Sequence, residues 1–341
     1  MTASPQPQGA RQPAPLVTVI VTTYNQEDTI ARTLDSVLAQ VTDFPFEILI
    51  GEDCSTDSTA AICQEYAASH PDRIRLICNP VNKGLRDNYY DCILAARGKY
   101  IADCAGDDFW CHPAKLQSQT DLLEAHPEVT LVHTDWQFRD SATGATSPSD
   151  PAHTLDQWRK PFAPGAELIP AILAHTKPPV VHLCTALYRR DTMIKAFETA
   201  PHLYRCPDWP CEDLQVECAM AAAGSIAFLP ECTLNYSVGH ESVSNIADPG
   251  REFDYTLGTL SLTHALTGHY GASPPLLYYR RAAHHLVALA YHSLIPGRMR
   301  AARRAIPPET PLRPTTRLML ALAACPPLWR AAERLQRALR R

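Results

Sequence analysis

Between residues 16 and 102 the chain repeats one arrangement four times: an aliphatic, β-branched run of strand length ends in polar residues, with helical periodicity in between. The runs are Leu16-Val17-Thr18-Val19-Ile20-Val21, Phe46-Glu47-Ile48-Leu49-Ile50, Arg73 to Cys78, and Lys99-Tyr100-Ile101-Ala102. Such continuous apolarity suits strands covered on both faces, as in a parallel sheet. Behind Glu27 and Asp28, the residues Ile30, Leu34, Val37 and Leu38 form the apolar face of a first helix. A second helix carries Ala60, Ala61, Ile62 and Tyr66. A third runs from Asp87 to Ala96, with Gly98 as its C′ glycine. Strands alternating with helices make βαβ units, so the expected class is α/β with a mostly parallel sheet flanked by helices.

Ligands of such sheets collect at the carboxyl ends of the strands. Three polar clusters fall there: Thr23-Tyr24-Asn25, Glu52-Asp53 and Asp107-Asp108. Two carboxylates within about 5 Å repel by several kcal/mol at an intermediate dielectric. Asp107-Asp108 therefore reads as a divalent-metal site or as a solvated turn, and three clusters converging on one edge favour the metal. Neither GxxxxGK[ST] nor a GxGxxG after the first strand occurs, so no glycine loop is present to cradle phosphates.

The 341 residues suffice for one large α/β domain plus an appendage. A 45% hydrophobic and 20% charged composition is that of a soluble globular chain. The net charge of −5 is uneven, because the stretch from Arg298 to Arg341 is arginine-rich and holds only Glu309 and Glu333 as acids. An acidic body with a basic tail suggests contact with an anionic surface. The twelve cysteines form no CxxC pair, and Cys206, Cys211 and Cys218 lack zinc-ligand spacing. They read as reduced and mostly buried, which suits a cytoplasmic location. Residues 1–14 are Pro/Gln-rich with no apolar core, hence a disordered tail and no secretory signal. No apolar run is long enough to span a membrane as a helix.

After Trp110, a helix opening at Pro113 carries Leu116, Leu122 and Leu123, and Val129 to His133 is a strand. Ser141 to Pro164 reads as a mobile surface loop. Ala166 to Leu173 is a short helix and Val180 to Tyr188 a strand. Asp208-Trp209-Pro210-Cys211-Glu212-Asp213 precedes a helix, Leu214 to Ala223, that stops at Gly224. Ile226 to Leu229 is a strand, Leu234 to His240 leads into Glu241-Ser242-Val243-Ser244-Asn245, and the pattern is helical from about Asp254. The expected organisation is a tail (1–14), a catalytic domain (15–250) and a helical C-terminal region (251–341).

The order and spacing of these motifs resemble family 2 glycosyltransferases of the GT-A type, inverting enzymes that build bacterial polysaccharides and glycolipids. The resemblance rests on Val17 to Asn25, Ile48 to Thr59, Asn82-Lys83-Gly84, Gly98 to Ile101, Gly106 to Trp110 and Lys115-Leu116-Gln117, and it covers roughly residues 15–245. It implies a GT-A nucleotide-diphospho-sugar transferase fold and a metal-dependent transfer from a nucleoside-diphosphate sugar to a hydroxyl of a glycan or lipid-linked glycan.

Residue by residue, the resemblance puts Thr23, Tyr24 and Asn25 at the nucleotide base and Asp53 at the base or ribose. Asp107 faces the ribose, and Asp108 binds Mg²⁺ or Mn²⁺ on the diphosphate. Hard oxygen ligands suit Mg²⁺, which is usually held by one or two carboxylates plus phosphates. Glu212-Asp213 resembles the pair that opens the helix below the acceptor, with Asp213 as general base and Asp208 in reserve. The plainer reading of that pair is an acidic helix N-terminus offsetting the dipole. Relatives often carry Tyr-Arg-x-His where this chain has Tyr236-Ser237-Val238-Gly239-His240. His240 is thus a metal ligand or an ordinary loop histidine, and Lys83 or Arg86 is left to replace the missing arginine.

Two rival functions remain. A nucleotidyltransferase would bring a Gly-rich basic loop after the first strand, which Thr22-Thr23-Tyr24-Asn25 is not. A non-catalytic sugar-nucleotide-binding or assembly partner stays open because of the altered 236–240 stretch. In the C-terminal stretch, Leu318, Met319, Leu320, Leu322, Leu328 and Trp329 alternate with arginines. They read as a basic amphipathic helix on an anionic bilayer, at the inner face of the cytoplasmic membrane, or as a helix packed on its apolar side. No nucleic-acid-binding module accompanies the basic residues.

Overall fold

In the computed structural model, residues 14–239, 246, 248–293, 295–325, 327–331 and 334 are described. The N-terminal tail and His240 lie outside them, apart from Ala14. Four parallel strands form first: β1 (Val17–Thr23), β2 (Phe46–Glu52), β3 (Ile74–Cys78) and β4 (Tyr100–Asp103). Helices α1 (Ile30–Leu38), α2 (Thr59–Ser69) and α3 (Leu85–Ala95) connect them. β1 is central, with Val19 opposite Ile48 on β2 and opposite Ala102 on β4.

The chain continues through β5 (Phe109–Trp110), α4 (Lys115–Ala125), β6 (Val129–Asp140), β7 (Thr146–Pro148), β8 (Ala163–Pro164) and α5 (Gly165–Ile172). Then come β9 (Leu187–Arg189), α6 (Arg190–Thr199), α7 (Asp213–Ala223) and β10 (Ser225–Val238). The main path of the sheet is β3-β2-β1-β4-β9-β6-β10-β5, with β7 on β6 and β8 on β10. β9 runs antiparallel to both β4 and β6, β5 antiparallel to β10, and β6 parallel to β10.

Strand parity explains the unbroken apolar runs. Val17, Val19 and Val21 pack with Ile48, Ile50, Tyr100 and Ala102 in one core, beside Ile30, Leu34 and Leu116 of α1 and α4. Ile20, Leu49 and Ile101 point the other way, to a core with Tyr89 and Ile93 of α3 and Val216 and Met220 of α7. β1, β2 and β4 are thus buried on both faces, whereas β3 at the edge is half-exposed.

Four helices complete the chain: α8 (Pro249–Tyr270), α9 (Leu276–Ser293), α10 (Pro296–Ala305) and α11 (Pro314–Ala324). Phe253 and Leu260 of α8 share a third core with Leu286 and Val287 of α9, Met299 and Ala302 of α10, and Trp329. On its other side α8 gives Leu262 and Leu266 to the α3–α7 core. Among the described residues, no helix is long and apolar enough to cross a membrane.

Several expectations are corrected. Val180 to Tyr188 is no continuous strand: a 3-10 turn at Leu183–Thr185 precedes a three-residue β9. Gly98 is not a C′ glycine, because α3 ends at Ala95 with Ala96 as its C-cap. A Cβ at Gly98 would collide with Thr18 N, so this glycine allows close approach to β1. The loop 141–164 contains β7 and β8. Ile226–Leu229 and Leu234–Val238 are one bulged strand. Trp329 is only 7% exposed and packs against Tyr291, so it is a core residue rather than an interfacial anchor, while Leu318 is 59% exposed.

Candidate active site

The Gly106-Asp107-Asp108 turn is clamped from two sides. Thr29 and Thr33 of α1 donate to the Gly106 carbonyl at 2.8 and 3.1 Å, and Thr33 also donates to the Asp108 carbonyl at 2.6 Å. On the β10 side, the Ser237 hydroxyl donates to the Asp107 carbonyl at 2.6 Å and its N–H donates to Asp108 Oδ1 at 2.8 Å. A Cβ at Gly106 would strike Gln26 and Thr23, so only glycine fits. The other oxygen, Asp108 Oδ2, is buried and makes no N–H or O–H hydrogen bond among the described residues, with the Cys184 thiol beside the carboxylate. Burial, then the Asp107 carboxylate, raises the Asp108 carboxyl well above the usual range.

Arg32 of α1 reaches Ser237, the residue at the position the resemblance gives to arginine. Its Nη2 lies 3.4 Å from both Ser237 Oγ and the Asp107 carbonyl, and its guanidinium sits 4.3 Å over the Phe109 ring. Lys83 and Arg86 are committed elsewhere. Lys83 Nζ pairs with Asp91 at 2.8 Å, and Arg86 donates to the Cys206 carbonyl and to Asp87.

The strand-end loops of β1 and β2 are laced together. Asn25 Oδ1 accepts from Thr56 N at 2.8 Å, and Glu27 accepts from Ser58 N at 2.8 Å. Asn25 therefore holds a loop and does not line the cavities. Asp53 is similarly occupied, accepting from Asn79 Nδ2 (2.9 Å), Lys83 N (2.9 Å) and Gly84 N (2.8 Å). Its carboxylate shapes the 82–84 loop at the cavity edge.

Two cavities adjoin. The smaller, about 440 Å³, is lined by Thr23, Tyr24, Asp53, Asp107, Asp108 and the Glu212–Asp213 pair, among others. The larger, about 710 Å³, meets it along a shared wall that includes Thr22, Ala105, His182, Glu212, Asp213 and Tyr236. Glu212 and Asp213 open α7, whose start is fixed by Tyr90 OH donating to the Glu212 carbonyl at 3.1 Å. Burial, then the adjacent Asp213 carboxylate, pushes Glu212 up to about 8. Glu212 thus keeps its proton near neutrality. Asp208, the reserve base, is exposed and lines neither cavity.

Other residues in the walls were not singled out from sequence. Tyr255 comes from α8 into the smaller cavity, and Gly258 one turn on packs so closely on the Asp208 carbonyl that a Cβ would collide. His182 lines both cavities, and burial lowers it to about 4, so its imidazole is neutral. Asp103, at the end of β4, and Glu217, one turn beyond Asp213, line the larger cavity. An acid ending a strand was the available signal for Asp103.

Among the described residues no group of three His, Cys, Asp or Glu side chains is placed to hold a metal. Asp107 and Asp108 make a two-carboxylate site, which suits a cation that arrives with phosphates and keeps waters.

The model of glycosyl transferase family 2 matches residues 18–197, more than half of the chain. The chain belongs to glycosyl transferase family 2. An uncharacterized Mycobacterium tuberculosis protein is 33% identical over 222 residues, 64% of this chain and 58% of the relative. The match thus spans little over half of that relative's length. The putative glycosyltransferase EpsE of Bacillus subtilis is 40% identical over 120 residues, 35% of this chain and 42% of EpsE. In fold the family member resembles S. aureus TarS in complex with UDP-GlcNAc, at TM-score 0.54, 17% identity, and 85% and 87% coverage of the two chains. It also resembles the mannosyltransferase PcManGT of Pyrobaculum calidifontis in complex with GDP-Man and Mn²⁺, at TM-score 0.54, 19% identity, and 95% and 84% coverage. Its fold is of the GT-A type, with a helical C-terminal region. The matched family segment ends before Glu212, Asp213, Tyr236 and Tyr255, so these parts of the site walls come from outside it.

Proposed function

We propose that the protein transfers a glycosyl group from a nucleoside-diphosphate sugar to a hydroxyl of a glycan or lipid-linked glycan, with inversion and with Mg²⁺ or Mn²⁺. One observation carries this reading: the Asp107–Asp108 turn and the Glu212–Asp213 pair line the same smaller cavity. The smaller cavity takes the nucleotide, with Tyr24 and the Asp53-held loop at its edge. Asp107 and Asp108 hold the cation, which, when bound, neutralises charge on the departing diphosphate.

Asp213 takes the proton of the acceptor hydroxyl as its oxygen attacks the anomeric carbon. The bond from that carbon to the diphosphate breaks as the new C–O bond forms on the opposite face, which inverts the centre. The N–H of Ser237 and the hydroxyls of Thr29 and Thr33 fix the Asp107–Asp108 turn, so little reorganisation is needed. The proposed setting is the cytoplasm, with Leu318, Leu328 and the arginines of the last helices toward an anionic membrane surface.

The test is nucleotide release by the purified protein from a panel of UDP-, GDP- and dTDP-sugars with Mn²⁺ or Mg²⁺. If no nucleotide or nucleotide sugar binds or shifts the melting temperature, the reading fails and the non-catalytic alternative loses its ligand as well.

A further inference from the structure

Cys111 and Cys232 meet near the surface, away from the lining of both cavities. Cys111 follows β5 directly, and its N–H donates to the Thr233 carbonyl of β10 at 2.9 Å. In a regular ladder Cys232, offset by one from that pairing, would point to the face opposite Cys111. β10 is bulged there, because its register against β6 shifts on both sides of Cys232. The bulge breaks the alternation and lets the two side chains meet. The Cys111 thiol lies 3.5 Å from the Cys232 carbonyl, and the two sulfurs share a hydrogen bond. That bond holds Cys111 below the usual thiol range and raises Cys232.

Cys111 is exposed and Cys232 half-buried, so an oxidant reaches the first while the second stands behind it. Other thiols differ. Cys63, Cys92, Cys104, Cys211 and Cys218 are buried, and burial raises each of them. Cys78, also exposed, is raised by partial desolvation.

We propose that Cys111 and Cys232 are a site of reversible oxidation by peroxide, closing to a disulfide that fastens β5 to β10 behind the Asp107–Asp108 turn. The Cys111 thiolate attacks one peroxide oxygen and becomes a sulfenic acid as the O–O bond breaks. The other oxygen leaves as hydroxide and takes up the proton that Cys111 released, giving water. The Cys232 sulfur then displaces the sulfenic hydroxyl, which leaves with the Cys232 proton as a second water. Two thiols are oxidised to one disulfide, and one hydrogen peroxide is reduced to two waters. β5 starts at Phe109, next to Asp108, and β10 carries the Ser237 N–H that donates to Asp108 Oδ1. The bond therefore ties together the two strands that frame the turn. It closes a loop across 121 positions, which constrains the unfolded chain.

The test starts from the full chain, reduced and then given stoichiometric hydrogen peroxide, blocked with a thiol alkylator, digested and mass-mapped. A peptide joining Cys111 to Cys232, two hydrogens lighter than the two thiol peptides together, should be the first product. Cys78 should be alkylated, and dithiothreitol should reverse the link. The oxidised chain should melt about 5 °C or more above the reduced one, a difference that Cys111→Ser removes. Cys232→Ser should instead stop at a Cys111 sulfenic acid that dimedone captures. The mapping of the parent chain stands whether or not either variant folds. The proposal is overturned if both thiols stay alkylatable once the peroxide is consumed, if Cys111 instead links two chains, or if the cross-linked chain melts as the reduced one does.

Discussion

The Ser237 N–H donates to Asp108 Oδ1 at 2.8 Å and leaves Oδ2 buried with no N–H or O–H donor among the described residues. A neutral amide at that position removes the electrostatic reason for a cation without changing shape. Asp108→Asn should therefore leave the metal-free melting temperature equal to or above the parent's, because an unsatisfied buried carboxyl is relieved. The additional melting shift that Mn²⁺ gives with UDP or GDP should vanish. A Mn²⁺-dependent shift of parental size in the variant would remove Asp108 from the metal site.

Asp213 and Asp208 are separated by a direct comparison. Asp213→Asn should reduce transfer by about 10²–10⁴-fold, the usual scale for a lost general base, with nucleotide affinity intact. Asp208→Asn, an exposed change outside both cavities, should stay within about twofold, since surface changes away from specific features cost little. Steady-state rates with the best donor decide it. The opposite pattern would return the base to Asp208.

The sheet and the paired acids were legible because both are local. Strand parity writes itself as apolar runs, and Asp107-Asp108 and Glu212-Asp213 stand next to each other in sequence. Tyr255 and His182 were not legible, since each reaches the site through packing between segments distant in sequence. Arg32 shows why: its helix was expected, but only the fold brings it to Ser237, across 205 positions. From sequence Trp329 stands open between bilayer and core for the same reason. An aromatic residue among arginines looks alike in sequence whether its partner is a bilayer or the α8–α10 core.

Asp53 and Lys83 should behave differently although both belong to the same loop. Asp53→Ala deprives Asn79 Nδ2 and two backbone N–H groups of a charged acceptor and should cost about 2–4 kcal/mol in urea unfolding, with a raised KM for the donor. Lys83→Ala loses only a half-exposed pair with Asp91, which contributes about 0–1 kcal/mol. A donor KM more sensitive to Lys83 than to Asp53 would show that its amino group reaches the diphosphate after all.

Membrane attachment is better tested by point changes than by truncation, because removing the C-terminal stretch also removes Trp329 from its core. Trp329→Ala should lower stability by about 3–5 kcal/mol, as for other large-to-small aromatic changes. Leu318→Ser combined with Leu328→Ser, both at exposed positions, should leave stability within about 0.5 kcal/mol. If the basic helices dock on anionic lipid, the double variant should bind phosphatidylglycerol vesicles more weakly in co-sedimentation. Unchanged sedimentation would rule out this face.

Asp103 links the site to stability through pH. Burial lifts its carboxyl from 3.8 to about 7, so the folded chain keeps a proton that the unfolded chain has released. Stability from this group is therefore intact below about pH 4, where both states are protonated, and falls as pH rises toward the folded value. Asn at this position does not titrate. The stability difference between Asp103→Asn and the parent should thus move in favour of the variant from about pH 4.5 to about pH 7.5, by up to about 2–4 kcal/mol. Urea unfolding at those two pH values measures it. A difference that stays constant with pH would mean that the Asp103 carboxyl is solvated in the folded protein.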